Sequence, residues 1–534
     1  MFVRIHNPSH GPIAQDDAPA VRVDATIESL EEQRVAILYN GWPMWQVMLD
    51  ELVRTLHERH PSARVKQYSI PRGSAAATEV LEEVAAESDC AIVGLGNCGS
   101  CTAWSYHDSV ELMKAGVPTV WVITKEFQSL ADAVRGARPA ELPTITLPVN
   151  PETGSREDAL ALMGTTIPAI FGSLTAPAAN GGSAAAGVAG RAPERHVDAP
   201  ADAGDCFDFM DARGWTDGLP VIPPTEARVE RMLEALGAVD RDGVLATLPP
   251  QYGRVTPENI AANAVMAGCR PEDMPLLLAQ ALAAATPEFN LNGIATTTAS
   301  STPLTIVNGP VRTALGINCE RGIMGPGRRG NATIGRALRL LMLNVGGAEP
   351  GTVSKSVHGQ PGRYSLCFGE HEEASPWAPL HVDRGFAADA GAVTLFGVLG
   401  TTNVMTERRD WRGMLAALGD ALAFIGSNNV LMGRGSVVVV LTPGHARVLD
   451  AAGLSKADVQ QEIWRYARLP RSRFPDSVRP QPPNVWLEDG DDILVVGRPE
   501  NVLLVVAGGP EAHYATVMPT HPSVVPVTRE VTRG

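Results

Sequence analysis

The sequence predicts an α/β protein, with a flavodoxin-like, doubly wound parallel sheet followed by a larger domain of mixed α and β content. Five runs with strand signals occupy residues 34–39, 64–70, 90–95, 118–124 and 144–148. Helical patterns separate these runs, and strands that alternate with helices form parallel sheets through right-handed crossovers. We therefore expect five strands in the order 2-1-3-4-5.

The elements of the first domain begin at residue 33. The continuous apolar run at 34–39 indicates a buried strand. A helix follows, which is indicated by apolar residues at helical spacing: Met44, Met48, Leu52, Val53 and Leu56. The polar residues 1–32 predict an arm that orders on contact with the rest of the protein, or a loose leader.

A linker separates the first domain from the second. Residues 176–186 consist mainly of Ala, Gly, Pro and Ser and have no periodicity that would form a core. Such a composition buries too little surface to offset the entropy lost on ordering. We therefore predict one domain at 33–173, a linker at 174–204 and a second domain at 205–534.

The second domain carries both helix and strand signals. Thr225, and Thr256 followed by Pro257 and Glu258, have the composition of helix N-termini. Runs at 437–441, 493–497 and 502–507 are typical of strands. Mixed α and β content follows, although these signals do not define a topology. We expect this domain to recognise the substrate.

The bulk composition excludes several classes of protein. The chain has 534 residues and a net charge of -15, and a charge of this sign opposes binding to a phosphate backbone. No apolar run reaches the roughly 20 residues that span a bilayer, and the first residues lack the apolar stretch of a secretory signal. We expect a cytoplasmic protein without nucleic-acid or membrane partners, either monomeric or oligomeric.

Cysteine usage directs attention to one pair. The chain has seven cysteines, an odd number and a low density that do not fit a disulfide scaffold. Cys98 and Cys101 stand close together in the loop 94–104, which follows the third predicted strand. Open α/β sheets bind ligands at this end of their strands. We expect substrate contacts from loop residues and from a tryptophan across the crevice: Gly96, Asn97, Gly99, Thr102 and Trp42.

The two cysteines are predicted to sit at the start of a helix. The dipole and free amides at a helix N-terminus stabilise a thiolate, and Cys-X-X-Cys placement lowers a thiol pKa from about 8.5 to roughly 3.5–7.5. Residues three apart on a helical turn face each other, so the two sulfurs can meet. We predict that Cys98 is the attacking thiolate and Cys101 the resolving thiol, with His107 as the nearest base.

Three other interpretations of this loop stay open. Two cysteines can form half of a zinc site, although a second pair at ligand spacing does not follow in this domain. Gly94, Gly96 and Gly99 match the G-x-G-x-x-G dinucleotide pattern, but that pattern belongs after the first strand of a nucleotide-binding fold. The cysteines can also be purely structural.

The same loop carries a resemblance to a known family. The string Cys98-Gly99-Ser100-Cys101, at the end of a Gly-rich strand, resembles the selenocysteine–Gly–Ser–Cys motif of the UGSC family of bacterial (seleno)proteins. Further residues of the resemblance follow: Thr102, Trp104, His107 and Asp108. The resemblance covers roughly residues 33–173 and implies a reactive chalcogen at position 98, here sulfur, with a role for Cys101. The region after residue 205 resembles a protein associated with that family as a neighbour, here fused to it.

Two polar segments of the second domain are candidate binding sites. Arg328 and Arg329 follow glycines and precede a predicted helix, an arrangement suited to a carboxylate or phosphate. An ordinary turn with exposed arginines is the alternative. Residues 290–303 are rich in hydroxyls and amides, which suit either a polar pocket or a solvated loop.

Acid–base candidates stand further along the second domain. Glu370 and His371 are candidate catalytic acid or base groups. A metal site formed by Cys367, His371 and His381 is a weaker alternative, because the spacing fits no common ligand pattern; we predict no metal. His513 follows two glycines that permit close approach of a ligand, so we include it among the binding residues.

These observations favour a thiol oxidoreductase acting on a small-molecule substrate held between the domains. No cofactor is implied beyond an external thiol or dithiol reductant. One alternative is a lyase or transferase in which Cys98 adds covalently to carbon without net redox change. Another is a redox-controlled binding protein, and a third is an NAD-dependent dehydrogenase.

Overall fold

The structure is a computed structural model that describes residues 1–9, 20–23, 27–175, 194–406, 410–476, 478 and 485–532. The elements before residue 176 build an N-terminal unit, apart from the first strand, which joins the C-terminal unit. The strands are β1 (Phe2–His6), β2 (Arg34–Tyr39), β3 (Arg64–Ser69), β4 (Cys90–Gly96), β5 (Thr119–Thr124) and β6 (Thr144–Leu147). The helices are α1 (Pro43–Arg59), α2 (Thr78–Glu87), α3 (Gly99–Lys114), α4 (Gln128–Ala137) and α5 (Arg156–Thr175).

The N-terminal unit is a doubly wound parallel sheet. The strand order is β3-β2-β4-β5-β6, and every neighbouring pair is parallel. This confirms the predicted order 2-1-3-4-5, counted from β2. Apolar residues of α1 and α5 cover one face of the sheet, and those of α2, α3 and α4 cover the other. Strand β4 is buried along its whole length and leads to the cysteine pair.

The described helices include no clear membrane span. Helix α5 alone among them has the length and apolar composition that such a span requires, and its apolar character is marginal. Several of its apolar residues, including Met163, Ile167 and Ile170, are buried against α1 and the sheet. A helix that packs into a core needs an apolar face for that reason, which accounts for these residues.

The C-terminal unit mixes helices and several sheets. Its helices are α6 (Ala203–Asp211), α7 (Glu226–Glu234), α8 (Pro257–Ala267), α9 (Met274–Ala285), α10 (Leu291–Thr296), α11 (Pro310–Ala314), α12 (Arg329–Asn344), α13 (Leu380–Asp383), α14 (Trp411–Leu422), α15 (Asn428–Met432), α16 (Pro443–Ala451) and α17 (Lys456–Tyr466). Its strands, besides β1, are β7 (His196–Pro200), β8 (Ala246–Leu248), β9 (Gly253–Val255), β10 (Thr302–Asn308), β11 (Cys367–Gly369), β12 (Ala392–Val398), β13 (Thr402–Met405), β14 (Val437–Leu441), β15 (Arg468–Pro470), β16 (Glu488–Asp489), β17 (Asp492–Leu494), β18 (Val502–Val506), β19 (Tyr514–Pro519) and β20 (Val527–Glu530).

Two four-stranded sheets form the centre of this unit. Their strand orders are β11-β10-β12-β20 and β13-β19-β14-β18. Apolar residues of both sheets share one core, which includes Phe368, Phe396 and Val440. Helices α7, α8, α9 and α12 pack in a second core on β10 and β12. The mixed α and β content predicted for this region is therefore present.

The N-terminal segment takes the first of its two expected forms, an arm that orders on contact, whereas the end of the linker differs from expectation. Strand β1 pairs antiparallel with β7, so residues 2–6 are ordered on the C-terminal unit rather than forming a loose leader. Because β7 and the start of α6 lie before residue 205, the predicted linker extends too far at its C-terminal end. Its Ala/Gly/Pro-rich part, residues 176–193, lies outside the described residues.

The two units pack against each other through α3 and α10. Trp104 on α3 donates from Nε1 to Asn290 Oδ1 at 3.2 Å, and Asn290 Nδ2 donates to the Gly73 carbonyl at 2.6 Å. Val353 of the C-terminal unit joins an apolar cluster of the N-terminal unit. His521 lies at this boundary, because a Cβ on Gly73 would stand 3.1 Å from its Cε1.

Burial of His521 predicts a pH dependence of stability. Burial lowers the pKa of His521 from 6.5 to about 4. Between these values the unfolded chain binds the proton and the folded chain does not, so stability falls as the pH drops from 6.5 toward 4. We expect His521 to account for a loss on the order of 3 kcal/mol in the free energy of unfolding.

Urea unfolding of the wild type and His521→Gln at several pH values measures this loss. The variant should show a shallower decline, but not a flat one, because burial also lowers the pKa of His445 to about 4. Parallel curves for the two proteins over this pH range would contradict the assignment to His521.

Candidate functional site

The cysteine pair lies at the N-terminus of α3, directly after β4. Cys98 is the N-cap residue, and its Sγ accepts the backbone N–H of Cys101 at 3.1 Å. Thr102 Oγ1 donates to the Cys98 carbonyl at 2.7 Å, which fixes the first turn. A sulfur at this position faces the positive end of the helix dipole, which favours its thiolate form when it is reduced.

Cys98 and Cys101 are joined by a disulfide, with their Cα atoms 5.2 Å apart. Cys98 is half-buried, whereas Cys101 is only 1% exposed. Cys98 is therefore the more accessible residue of the pair. The remaining cysteines are buried free thiols: Cys90, Cys206, Cys269, Cys319 and Cys367. Burial raises the pKa of Cys90 to about 12, so a buried thiol of the same unit resists ionisation.

Asparagine side chains hold the loop between β4 and α3. Asn40, at the end of β2, donates to the Leu95 carbonyl and accepts its N–H, each at 2.9 Å. Asn97 accepts from Thr124 Oγ1 at 3.0 Å and donates to Asn150 Oδ1 at 2.8 Å. Asn97 is 4% exposed. These contacts tie the loop to three other strand ends and so place Cys98.

The three glycines of the dinucleotide-like pattern all have close protein neighbours. A Cβ at Gly94 would stand 3.3 Å from Trp45 and Val122 atoms, and one at Gly96 would stand 2.8 Å from Ile123 Cγ2. Packing within the sheet therefore accounts for the first two glycines without a phosphate ligand.

Gly99 packs against the C-terminal unit. A Cβ on Gly99 would stand within bonding distance of the Thr296 carbonyl oxygen at the end of α10. No side chain fits between these two backbones, so glycine is required at the second position of the Cys-Gly-Ser-Cys string. The polar segment 290–303 thus meets the cysteine loop directly, and Thr297, the next residue, is also close to Gly99.

Trp42 belongs to the loop that follows β2, as expected, and this loop is tied to the cysteine loop through Asn40. The guanidinium of Arg72 stacks on Trp42, 4.2 Å from the ring centroid. Arg72 also donates to the carbonyls of Asn40 and Gly41. Burial lowers the pKa of Arg72 to about 10. Trp42 Nε1 is buried and has no hydrogen-bond partner within the described residues.

His107 lies away from the two sulfurs. Six residues of α-helix place it roughly 9 Å beyond Cys101 along the axis of α3. Its Nδ1 lies 3.3 Å from Asp108 Oδ1, and its ring packs edge-on against Trp104. Asp108 is fully buried and accepts the Ala76 N–H, and burial raises its pKa. These contacts hold His107 at the side of α3. It does not lie beside Cys98, where a base that serves this cysteine would have to lie.

The acid–base candidates predicted in the second domain do not lie near the cysteine pair. Strand β10 begins near the segment that covers Gly99, and Asn308 at its other end donates to Glu370 Oε2 at 2.6 Å. Seven residues of strand separate these ends by about 20 Å. Glu370 is 1% exposed, and burial raises its pKa. Glu370 therefore cannot act on a substrate held at Cys98.

The other candidates of this unit divide into two groups. His371 and Arg328 line one cavity of about 770 Å³. Arg329 instead donates to the Gly268 carbonyl at 2.8 Å, and His513 is exposed outside the cavity lining. Arg329 points away because successive residues of a helix face different directions. In the described ranges no cluster of three His, Cys, Asp or Glu side chains suits a metal ion.

Comparison with known proteins bears on the N-terminal part of the chain. Residues 4–176 match the UGSC family model. This match confirms the resemblance carried by the Cys98–Cys101 motif of the N-terminal unit. The matched range also includes residues 4–6 of β1, which packs on the C-terminal unit. No curated protein matches the chain.

Two features of the site were not evident from the sequence. The two hydrogen bonds between the Asn40 side chain and the Leu95 backbone were only weakly indicated by the sequence, by the position of an Asn directly after a buried strand. The contact between Gly99 and Thr296 was not indicated by the sequence at all, because it joins residues almost 200 positions apart. Only the docking of the two units shows why the motif needs its glycine.

Gly99→Ala tests the packing of the motif on the C-terminal unit. The added methyl group would displace the Thr296 carbonyl, and overpacking of this kind costs about 1–3 kcal/mol. We expect urea unfolding to show a loss in that range.

Gly164→Ala is the matched control, since it lies within α5 and its Cβ would meet nothing within 4 Å. Helix propensity predicts that this change stabilises by about 0.5–1 kcal/mol. Equal effects of the two substitutions would contradict the close contact at Gly99.

Proposed function

We propose that the protein is a thiol-dependent oxidoreductase in which Cys98 and Cys101 alternate between dithiol and disulfide. The observation that carries the proposal is the disulfide at the N-terminus of α3, whose first cysteine is half-buried and whose second cysteine is fully buried. This asymmetry supplies one sulfur that meets a substrate and one that meets only its neighbour. The match to the UGSC family supports reactivity at position 98.

The reaction begins with the reduced pair. The Cys98 thiolate attacks an oxidised bond X–Y of a small molecule, such as a disulfide or peroxide, forms S–X and expels Y⁻, which takes a proton. Cys101, once deprotonated, attacks the Cys98 sulfur and expels X⁻, which takes the second proton. Two electrons pass to the substrate. An external thiol or dithiol then reduces the disulfide, so the cycle suits a cytoplasmic thiol pool.

The amide of Cys101 serves the attacking half of this cycle. It donates to Cys98 Sγ and thereby favours the thiolate that attacks. In the reducing half, the external thiol attacks the disulfide at Cys98, because Cys101 is only 1% exposed. Cys101 then leaves as a thiolate and takes a proton, and a second thiol of the reductant attacks the mixed disulfide and frees Cys98.

Single substitutions test the proposal with reduced protein and one equivalent of a small aromatic disulfide. The wild type should release two thiols per chain and become oxidised at the pair. Cys98→Ser should fall below about 1% of the wild-type rate, because loss of a nucleophile is rarely compensated. Cys101→Ser should stop at a mixed disulfide on Cys98, detected by intact-protein mass spectrometry.

Cys90→Ala is the control, since Cys90 is buried in β4 of the same unit and should not affect the reaction. Full activity of Cys98→Ser would refute the proposal. Sustained turnover of a non-redox substrate by Cys101→Ser under reductant would instead support the lyase or transferase mechanism.

A redox-controlled binding protein is the second candidate. The contact between Gly99 and Thr296 favours it, because a change in the turn that holds the disulfide would press on the C-terminal unit. This candidate predicts partner affinity that changes between oxidised and reduced protein, with no release of thiols beyond one oxidation. Repeated turnover with an external dithiol separates the two.

A further inference from the structure

The C-terminal unit contains a cavity of about 770 Å³ whose lining residues all belong to that unit. It lies near the end of β10 that is remote from the cysteine pair. Ligand pockets typically enclose about 300–1,000 Å³, so the cavity has the size for an organic metabolite. An inorganic ion would fill only a small part of it. The cavity is therefore a candidate binding site separate from the disulfide.

Four segments build the cavity, and hydrogen bonds fix their positions. Asn331 in the first turn of α12 accepts the Asn318 N–H at 2.7 Å and donates to the carbonyls of Asn318 and Ile323. This ties the loop before α12 to the helix. Gly508 donates to the Cys319 carbonyl, and His371 donates from its backbone to Val506 at the edge of the second sheet. The walls are thus preformed.

The start of α16 closes the fourth wall. A Cβ on Gly444 would stand 2.4 Å from the Pro510 carbonyl oxygen, so the helix N-terminus touches the loop after β18. Arg447, one turn into α16, donates to the same carbonyl at 2.9 Å. Glycine at 444 therefore lets α16 approach closely enough for Arg447 to reach the cavity.

Three arginines line the cavity, and they are not equivalent. Arg321 is paired with Glu511, whose pKa is lowered by that contact. Arg328 and Arg447 have no carboxylate partner among the residues that the structure describes, and Arg447 bonds only the Pro510 carbonyl there. Two guanidinium groups left without carboxylates around one cavity are suited to bind an anion through paired hydrogen bonds.

The other polar groups of the lining carry little opposing charge, and the rest of the lining is proline, glycine and alanine. Asn318 and His371 offer hydrogen-bonding groups, and Glu320 is the one lining carboxylate. His371 Nδ1 is buried and has no partner within the described chain. A ligand with an anionic end at the arginines and hydroxyl or amide groups elsewhere matches this distribution.

We propose that this cavity binds a small organic anion, which carries a carboxylate or phosphate held by Arg328 and Arg447. The site is distinct from the cysteine pair and does not depend on its proposed chemistry. His371 and Asn318 bind the polar remainder of the ligand. The carboxylate and phosphate forms share this recognition and differ in charge and geometry.

Isothermal titration of the full-length protein with succinate and with glycerol phosphate tests the site, with succinamide and glycerol as uncharged counterparts. At least one anion should bind saturably at millimolar concentration or below, and neither neutral compound should. Succinate binding identifies a carboxylate site and glycerol phosphate binding a phosphate site. Failure of both anions to bind would overturn the proposal.

Neighbouring arginines provide the matched variants. Arg328→Ala and Arg447→Ala should each weaken anion binding by about 10- to 100-fold, as expected for a charge-assisted hydrogen bond. Arg329→Ala should bind as the wild type does, because its side chain turns to Gly268. Equal weakening by Arg329→Ala, or none by Arg328→Ala, would overturn the assignment.

Cys98→Ser separates this proposal from the redox function. It should retain anion binding even though it loses thiol chemistry. Loss of binding in a Cys98→Ser protein that unfolds at the wild-type temperature would contradict a separate site. Circular dichroism of each variant verifies folding, and a milder Arg328→Lys change should keep partial affinity if the alanine variant is unstable.

Discussion

The hydrogen bond from the Cys101 amide to the Cys98 sulfur is the interaction on which the site depends. It forms only because α3 begins at Gly99, immediately after a buried central strand. Hydrogen bonds of the Asn40 and Asn97 side chains hold the end of that strand, and the Thr296 carbonyl of the C-terminal unit covers Gly99. Sheet, loop and second unit therefore act together to hold one sulfur at a helix N-terminus.

The geometry also separates two kinds of chemistry within one chain. The disulfide lies where the two units meet, whereas the arginine-lined cavity lies within the C-terminal unit, and β10 runs between the two regions. A rigid strand can hold two sites at a fixed distance without merging them. The C-terminal unit thus packs on the cysteine loop with Thr296 and offers a cavity of its own elsewhere.

The strand order of the N-terminal unit was predictable from sequence, because strands that alternate with helices leave few topologies. The cysteine loop followed from its place after the central strand. The pairing of β1 with β7 was not predictable, since two short strands nearly 200 residues apart carry no signal for each other. The glycines before α12 marked Arg328 as a candidate anion-binding residue. Arg447 had no such signal, because only the packing of the two four-stranded sheets brings α16 close to the loop that carries Arg328.

The pH dependence of Cys98 alkylation by iodoacetamide, followed by peptide mass spectrometry in Cys101→Ser, tests the central claim most directly. The substitution removes the disulfide but leaves the donating amide in place. The account predicts an apparent pKa for Cys98 clearly below the free-cysteine value of about 8.5. An apparent pKa at or above that value, with Cys98 reacting no faster than the buried Cys90, would contradict it.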